Sequence, residues 1–401
     1  MELNNKNVLV VGSGISGVAA TILLGTHEAN VTLLDSNEKL DKESITKQFP
    51  EGVTADIILG ELSIDQMKSF DLIVVSPGVP TDLPFLTQMT MMGIPMIGEI
   101  ELAYLFEKGR VVAITGTNGK TTTTALTGQI MKTHFEKVCV VGNIGMPYTT
   151  KVLENDEESV TVAEVSSFQL ETVKTFRPKV SAILNITPDH LNRHHTMEKY
   201  IEAKCNVTMN QQDDDTCVLN YEDEVLREFG KTLSCKVVFF SSKQELERGL
   251  YLRGEDIVYN DGTDVKIICN IHELKILGAH NYENVMAAVA MAMAMEVPMD
   301  SIHKAITEFV AVEHRIEYVA EIDGVRYYND SKGTNTDAAI KAIQAMNRPT
   351  HLIGGGYDKN SEFDEWIQSF NGKVKTLVLL GQTREKIEKT ARANGFNNIV
   401  L

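Results

Sequence analysis

Residues 115–121 read Thr-Gly-Thr-Asn-Gly-Lys-Thr, joining the strand-like run VVAI to a segment of helical composition. A glycine-rich turn in that setting points backbone N–H groups at a phosphate chain. The lysine and threonine that close it add a cation for the terminal phosphates and a hydroxyl for magnesium. Lys120 and Thr121 are the candidates for those roles, although Ile114 stands where the usual first glycine would be, five residues before Gly119. Kinases, GTPases and ligases share such loops, so the loop names a nucleotide and no reaction. The sequence holds no Asn-Lys-x-Asp for reading guanine, which favours ATP.

A second glycine turn, Gly12-Ser13-Gly14-Ile15-Ser16-Gly17, follows the run VLVVG, and Asp35 closes the next apolar run, VTLLD. By residues alone this reads first as a dinucleotide site, with the diphosphate on a helix amino end and a carboxylate on a ribose hydroxyl. Tight strand-to-helix packing without a ligand is the alternative. Glu164 and Ser166 close VTVAE. A carboxylate there could hold magnesium beside the phosphate loop, and a merely structural one would need a polar partner. Asn185, Thr187, Asp189 and His190 close AILNIT; His190 is either a metal ligand or an ordinary satisfied polar group, and His194 and His195 read as solvent-facing. Lys204, in the helical EKYIEAKCNV, reads from its type and place as a solvated cation. Asp330-Ser331-Lys332-Gly333-Thr334-Asn335 follows a strand and could hold a second charged substrate. Gly354-Gly355-Gly356-Tyr357-Asp358-Lys359 offers backbone donors plus a lysine, or is a plain flexible turn.

These turns need parallel sheets to position them, because ligands of wound α/β sheets sit at the carboxyl ends of strands. From Lys6 to about Ile97 the runs VLVVG, VTLLD, LIVVSPG and IPMIG alternate with helical segments. A second series runs through VVAITGTNGK, KVCVVGN, VTVAEVS and VSAILNIT, and a third through VRYYNDSKGTN, THLIGGGYDK and TLVLLGQT. The expected architecture is α/β with three domains, 1–98 Rossmann-like, 99–311 like a P-loop ATPase, and 312–401 Rossmann-like and cut short at Leu401. A chain of 401 residues with 43% apolar residues supports such a division. A net charge of -17 argues against a nucleic-acid-binding face. Five cysteines without a C-x-x-C pair suit free thiols in a reducing compartment. The longest apolar stretch, Val285 to Met295, is too short to span a bilayer and reads as a buried helix, and the amino terminus reads as a strand, not a leader.

Taken in order, TGTNGKTT, AEVSSFQLE, LNITPDHLNRH, the helix of Lys204, GAHNYENVMAA, EHRIE and NDSKGTN resemble the Mur ligase family along the whole chain. GSGISG, SPGVP and NDSKGTN look like the member that adds D-glutamate to UDP-N-acetylmuramoyl-L-alanine. The resemblance implies a cytoplasmic, monomeric, ADP-forming ligase of peptidoglycan synthesis that uses ATP and two magnesium ions, with no nucleic acid and no membrane insertion. It implies that Gly116, Thr117, Asn118, Gly119, Lys120, Thr121 and Thr122 hold ATP, together with Asn281, His314, Arg315 and Asp330. Thr121, Glu164, His190 and a carbamylated Lys204 would hold magnesium. Gly14, Ile15 and Ser16 would cradle the UDP diphosphate, Asp35 and Ser36 lie near uridine, and Ser76, Asn143, Ser166 and His190 contact the same substrate. Lys332, Thr334 and Lys359 would serve the amino-acid and acyl-phosphate side, Lys332 as a catalytic group, and no nicotinamide is expected. Carbamylation requires Lys204 to be buried, because a carbamate forms from the neutral amine. Three rivals stay open: an NAD-dependent oxidoreductase, a non-catalytic nucleotide-binding regulator, and a ligase for another amino acid or for folate.

Overall fold

The computed structural model describes residues 3–276, 278–310, 312, 314, 316–358 and 361–401. They fall into two compact bodies, Met1–Phe239 with Ala287–Ile302, and Phe240–Met286 with His303–Leu401.

The first body opens with β1 (Asn7–Val11), α1 (Ile15–Thr26), β2 (Asn30–Asp35), α2 (Lys42–Thr46), β3 (Asp56–Leu59), α3 (Ile64–Met67), β4 (Leu72–Val75), α4 (Pro84–Met91), β5 (Met96–Gly98) and α5 (Glu99–Tyr104). The strands form one parallel sheet in the order β3-β2-β1-β4-β5. VLVV of β1 and LIVV of β4 are buried throughout because both faces of the sheet are covered, which is why they read as continuous apolar runs. The order reverses between β1 and β4, so their carboxyl ends open a crevice. The glycine turn and the Ser76 turn are there.

The chain continues through β6 (Arg110–Thr115), α6 (Lys120–Lys132), β7 (Val138–Gly142), α7 (Tyr148–Lys151), β8 (Val160–Glu164), α8 (Ser167–Leu170), β9 (Val180–Ile183), α9 (Leu191–His194), α10 (Met197–Cys205), β10 (Thr216–Asn220), α11 (Glu224–Gly230) and β11 (Lys236–Ser241). Five of these strands lie parallel in the order β10-β9-β6-β8-β7, with β6 central. Two buried carboxylates fasten α5 to this part. Glu99 accepts from the backbone N and the hydroxyl of Thr149 at 2.7 and 2.8 Å, and Glu101 accepts from the backbone of Lys174, Thr175 and Phe176 and from the Thr175 hydroxyl. The two parallel sheets of this body are therefore braced by charge-assisted bonds that solvent does not reach.

In the second body Phe240 and Ser241 pair with β12 (Gly249–Arg253), which continues into an antiparallel meander with β13 (Asp256–Asn260) and β14 (Val265–Asn270). This meander carries no sequence motif; its turns and short alternating strands lie between the motif-bearing segments. After α12 (Ala279–Ala294) and α13 (Met299–Glu308), β15 (Glu317–Ile322) and β16 (Val325–Asn329) form an antiparallel hairpin, so VRYYN is half of a ribbon and not a strand wound by helices. Then α14 (Thr336–Ala345), β17 (Thr350–Gly356), α15 (Asp364–Gln368), β18 (Val374–Gly381), α16 (Arg384–Ala393) and β19 (Ile399–Val400) build a parallel sheet, β17-β18-β19, packed on a core of Trp366, Ile367, Phe370, Leu377 and Ile387. Val285–Ala292 of α12 is fully buried, as its composition predicts, and among the described residues no helix is long and apolar enough to cross a membrane.

Candidate active site

The phosphate loop is 116–119, between β6 and α6, and it departs from ordinary backbone at Gly116 (φ +147°) and Gly119 (φ +86°). A Cβ on Gly116 would sit 3.0 Å from the Leu184 Cβ, so a side chain here would crowd the end of β9 as well as strain the torsion. The loop is held from the end of β9. The Asn185 carboxamide accepts from Asn118 N at 2.8 Å and donates to Asn118 O at 3.0 Å, while Thr117 donates to Thr187 O and shares a 3.0 Å bond with the Tyr200 hydroxyl. Asn185 and Tyr200 thus fix a loop that glycines alone would leave mobile. Lys120 Nζ arches back to donate to Gly116 O and Thr117 O at 2.8 and 2.9 Å, across the mouth where phosphates would lie.

Lys204 contradicts the reading of a solvated helix residue: it is 2% exposed, and its Nζ donates to the same Gly116 carbonyl at 2.8 Å. The loop lies against the face of α10 that carries Lys204, so the lysine has nowhere else to go. Among the described residues it has no carboxylate within ion-pair distance. Burial first, and then the Lys120 ammonium, push the Lys204 amine well below the ordinary lysine value. Glu164 ends β8 at 1% exposure; its Oε1 accepts from Asn143 Nδ2 at 2.8 Å, while its Oε2 is buried with no hydrogen-bond partner among the described residues. An orphaned, buried carboxylate oxygen at the carboxyl ends of parallel strands suits a bound cation. Ser166 caps α8 in a reciprocal bond pair with Gln169. His190, left-handed at φ +54°, stands at the amino end of α9 with its ring 4.9 Å from Phe168.

His194 is the clearest correction. It is 4% exposed, not solvent-facing, because α9 turns it inward between Phe168 and Tyr200, with ring centroids 5.3 and 5.2 Å away. Its Nδ1 lies 3.2 Å from Glu171 and its Nε2 2.9 Å from the Ser167 hydroxyl. Burial, followed by Arg193 and Lys204, lowers its pKa to about 4. Between that value and 6.5 the unfolded chain binds the proton and the folded chain does not, so stability rises with pH across this window. His194→Gln is expected to flatten that dependence, which we set at about 1–3 kcal/mol in the wild type, as read from urea unfolding at pH 4.5 and 7. An identical pH dependence in the two proteins would refute the assignment.

At the first sheet, Gly14 begins α1 with open space around it and Ile15 is 78% exposed, while Ser16 is half-buried. Gly17 cannot carry a side chain, since a Cβ there would lie 1.7 Å from Gly12 O. Asp35 accepts from Ser13 N and Oγ at 2.9 and 2.6 Å and from Asn37 N at 3.0 Å. These bonds outweigh partial burial and hold its carboxyl below the ordinary value. Both oxygens accept, so the carboxylate shapes the glycine turn, and Oδ1, with a single bond, keeps a lone pair for a ligand. Ser36 is exposed beside it, and the Ser76 hydroxyl donates to Gly12 O at 3.2 Å, joining the two turns.

In the second body, Asn281 is buried in the first turn of α12. His314 packs against the turn after β16: Asn329 Nδ2 lies 2.7 Å from its Nδ1, its carbonyl accepts from Lys332 N, and Asp330 Oδ1 accepts from Ile316 N. Lys332 and Thr334 are exposed on that turn. Arg315 and Lys359 lie outside the described residues. Phe168, Glu171, Arg193 and Tyr200 carry no site role in the sequence alone, and Asn185 stands out only as one of the polar residues closing AILNIT. Their types are common, and only the runs AEVSSFQLE, LNITPDHLNRH and EKYIEAKCNV, each holding a chosen residue, point to the neighbourhood.

Three stretches match known family domains: residues 6–98 the Mur ligase MurD-like N-terminal domain, 114–292 the Mur ligase middle domain, and 314–400 the Mur ligase glutamate ligase domain. A UDP-N-acetylmuramoylalanine-D-glutamate ligase of Lachnoclostridium phytofermentans is 58% identical over 401 residues, covering 100% of this chain and 88% of that protein. The chain belongs to the Mur ligase family. A ligase of the same name from Clostridioides difficile is 45% identical over 100% of this chain and 88% of its own length. Among solved Mur ligases, the UDP-N-acetylmuramate-alanine ligase MurC of Thermotoga maritima superposes with a TM-score of 0.61 at 19% identity, over 99% of this chain and 90% of that one. The MurF ligase of Thermotoga maritima in complex with ADP gives 0.59 at 17% identity, over 100% and 86%. At such identities the two structures speak for the three-part α/β Mur ligase fold.

Proposed function

We propose that this Mur ligase joins D-glutamate to UDP-N-acetylmuramoyl-L-alanine, forming an acyl phosphate at the expense of ATP and releasing ADP and phosphate. The observation that carries the reading is the pairing of a phosphate loop with Glu164, at the end of the adjoining strand and with one oxygen unpartnered among the described residues, and with the buried Lys204 of α10 on the loop's Gly116 carbonyl, in a chain 58% identical to a ligase of that name. The reading includes action in the cytoplasm as a monomer, with domains dividing near residues 98 and 312.

A carboxylate does not acylate an amine at neutral pH until one oxygen becomes a leaving group. Lys120, at the loop mouth, would neutralise charge on the phosphoryl group as it passes to the alanyl carboxylate. The backbone N–H groups of 116–122 would orient the phosphates, and Asn143 after β7 and His190 at the amino end of α9 would orient the acceptor. Gly14, Ile15 and Ser16 would bind the diphosphate, with Asp35, Ser36, Ser76 and Ser166 completing the hold on the sugar nucleotide. The D-glutamate amine then attacks the acyl carbon and phosphate leaves. Lys332, Thr334 and Lys359 serve that half-reaction, and Asn281, His314, Arg315 and Asp330 hold the nucleotide.

Among the described residues no three histidine, cysteine or acidic side chains converge to hold a metal. Glu164 and His190 fit one only with further oxygens, which Thr121 and a carbamate on Lys204 would provide. Two magnesium ions so held would supply Lewis-acid neutralisation of phosphate charge. The low pKa and burial of Lys204 support the carbamate, since CO2 adds to a neutral amine.

Phosphate release with ATP, magnesium and UDP-N-acetylmuramoyl-L-alanine tests the reading. We expect release that requires D-glutamate and is negligible with L-glutamate, L-lysine or no amino acid. Release with L-lysine instead would move the chain to another ligase, and none with any acceptor would leave a nucleotide-binding protein.

A further inference from the structure

Arg193 makes contacts that neither the phosphate loop nor the proposed metal site requires. Its guanidinium Nη2 donates at 3.0 Å to the carbonyl of Val79, in the turn that follows β4, and at 2.9 Å to Glu171 Oε2 beyond α8. The same group lies 4.8 Å over the Phe168 ring. Its side chain is 13% exposed. Glu171 in turn accepts from the Thr81 hydroxyl at 3.4 Å and is paired with His194, so the pair ties the turn 76–81 of the first sheet to the short helix α9. That helix begins at His190, whose ring also packs on Phe168. The turn 76–81 begins at Ser76, which is bonded to the glycine turn. One side chain therefore sets the spacing between two groups that face the substrate. A narrow cleft beside it is lined by Ser76, Pro77, Gln169 and Arg193.

A lysine here could make the two hydrogen bonds but would bring no guanidinium over the Phe168 ring. Arg193 makes none of the hydrogen bonds that brace the phosphate loop, which come from Asn185 and Tyr200. Loss of Arg193 should therefore reach the sugar-nucleotide side and spare the nucleotide.

On the reading that UDP-N-acetylmuramoyl-L-alanine lies across the mouth of the first sheet, we propose that Arg193, locked to Val79 O and Glu171, is a positioning residue that fixes the Ser76 turn against the His190 helix for that substrate. The test compares wild type, Arg193→Met, Arg193→Lys, Glu171→Gln and the double variant Arg193→Met/Glu171→Gln. Calorimetry without ATP gives Kd for the UDP substrate, steady-state assays give KM for ATP, and thermal melting reports the fold.

Arg193→Met is expected to raise Kd about tenfold, the loss of a charge-assisted bond to half-buried partners, with KM for ATP within about twofold and cooperative melting retained. Arg193→Lys should recover part of the affinity. The double variant should bind about as weakly as Arg193→Met alone, because the two residues act as one unit. Unchanged Kd in a well-folded Arg193→Met would overturn the proposal, as would parallel loss of UDP-substrate affinity, ATP affinity and melting temperature, the mark of a purely structural residue. A wild-type chain that fails to bind the UDP substrate would instead sink the functional reading, and the positioning role with it.

Discussion

Lys204→Met is expected to cut D-glutamate-dependent phosphate release by about 10²–10³-fold, the scale of losing one preorganised electrostatic group in a closed site. The same change should leave the melting temperature unaltered or higher. In the folded chain the Lys204 amine is buried, shares the Gly116 carbonyl with Lys120 and has no acidic partner among the described residues. Removing such a group in favour of a hydrophobic one of similar volume is neutral or stabilising. Activity and stability thus move apart. Depleting CO2 should lower wild-type activity, and bicarbonate should restore it, while neither should affect Lys204→Met. Activity within threefold of wild type, or a loss explained by a fall in melting temperature, would refute the role given to this lysine.

Gly142→Ala is expected to damage both the fold and the site. Gly142 ends β7 at φ +106°, and a Cβ there would lie 2.2 Å from the carbonyl oxygen of Glu164 on the neighbouring strand. Strain and overlap together should cost about 3 kcal/mol or more, and relieving them displaces the peptide that carries Glu164. Phosphate release should fall by at least about a hundredfold, since a displacement of roughly 1 Å in a site has that effect. Gly145→Ala is the control. Gly145 also has positive φ, at +68°, but nothing lies within 4 Å of its Cβ position, so only the torsional cost of about 1–2 kcal/mol applies. Urea unfolding of the two variants separates the terms, and equal destabilisation would show that the contact with Glu164 does not matter.

The sequence by itself determined the wound α/β class, the strand-to-helix setting of both glycine turns, and the candidacy of Lys120, Glu164 and His190. Each is local: a run of β-branched residues that ends in glycine, or a carboxylate ending a buried strand, is written in adjacent positions. It also determined the family, because seven short motifs in fixed order carry more information than any one of them. What only the tertiary structure decided is the environment of residues whose types are ambiguous. Lys204 and His194 read as surface groups, since lysine and histidine on short helices usually are. They are buried because α10 and α9 are pressed against the phosphate loop and against Phe168, and that follows from a crossover between strands rather than from neighbours in the chain. Arg193 and Glu171 were invisible for the same reason. Their partners Val79 and Thr81 lie in a turn of the other sheet, about a hundred residues away along the chain, and hydrogen bonds at that separation leave no periodic trace. Chemistry that resides in residue type was legible, whereas desolvation, which turns a common cation into an unusual amine, depends on what packs against it and belongs to the fold.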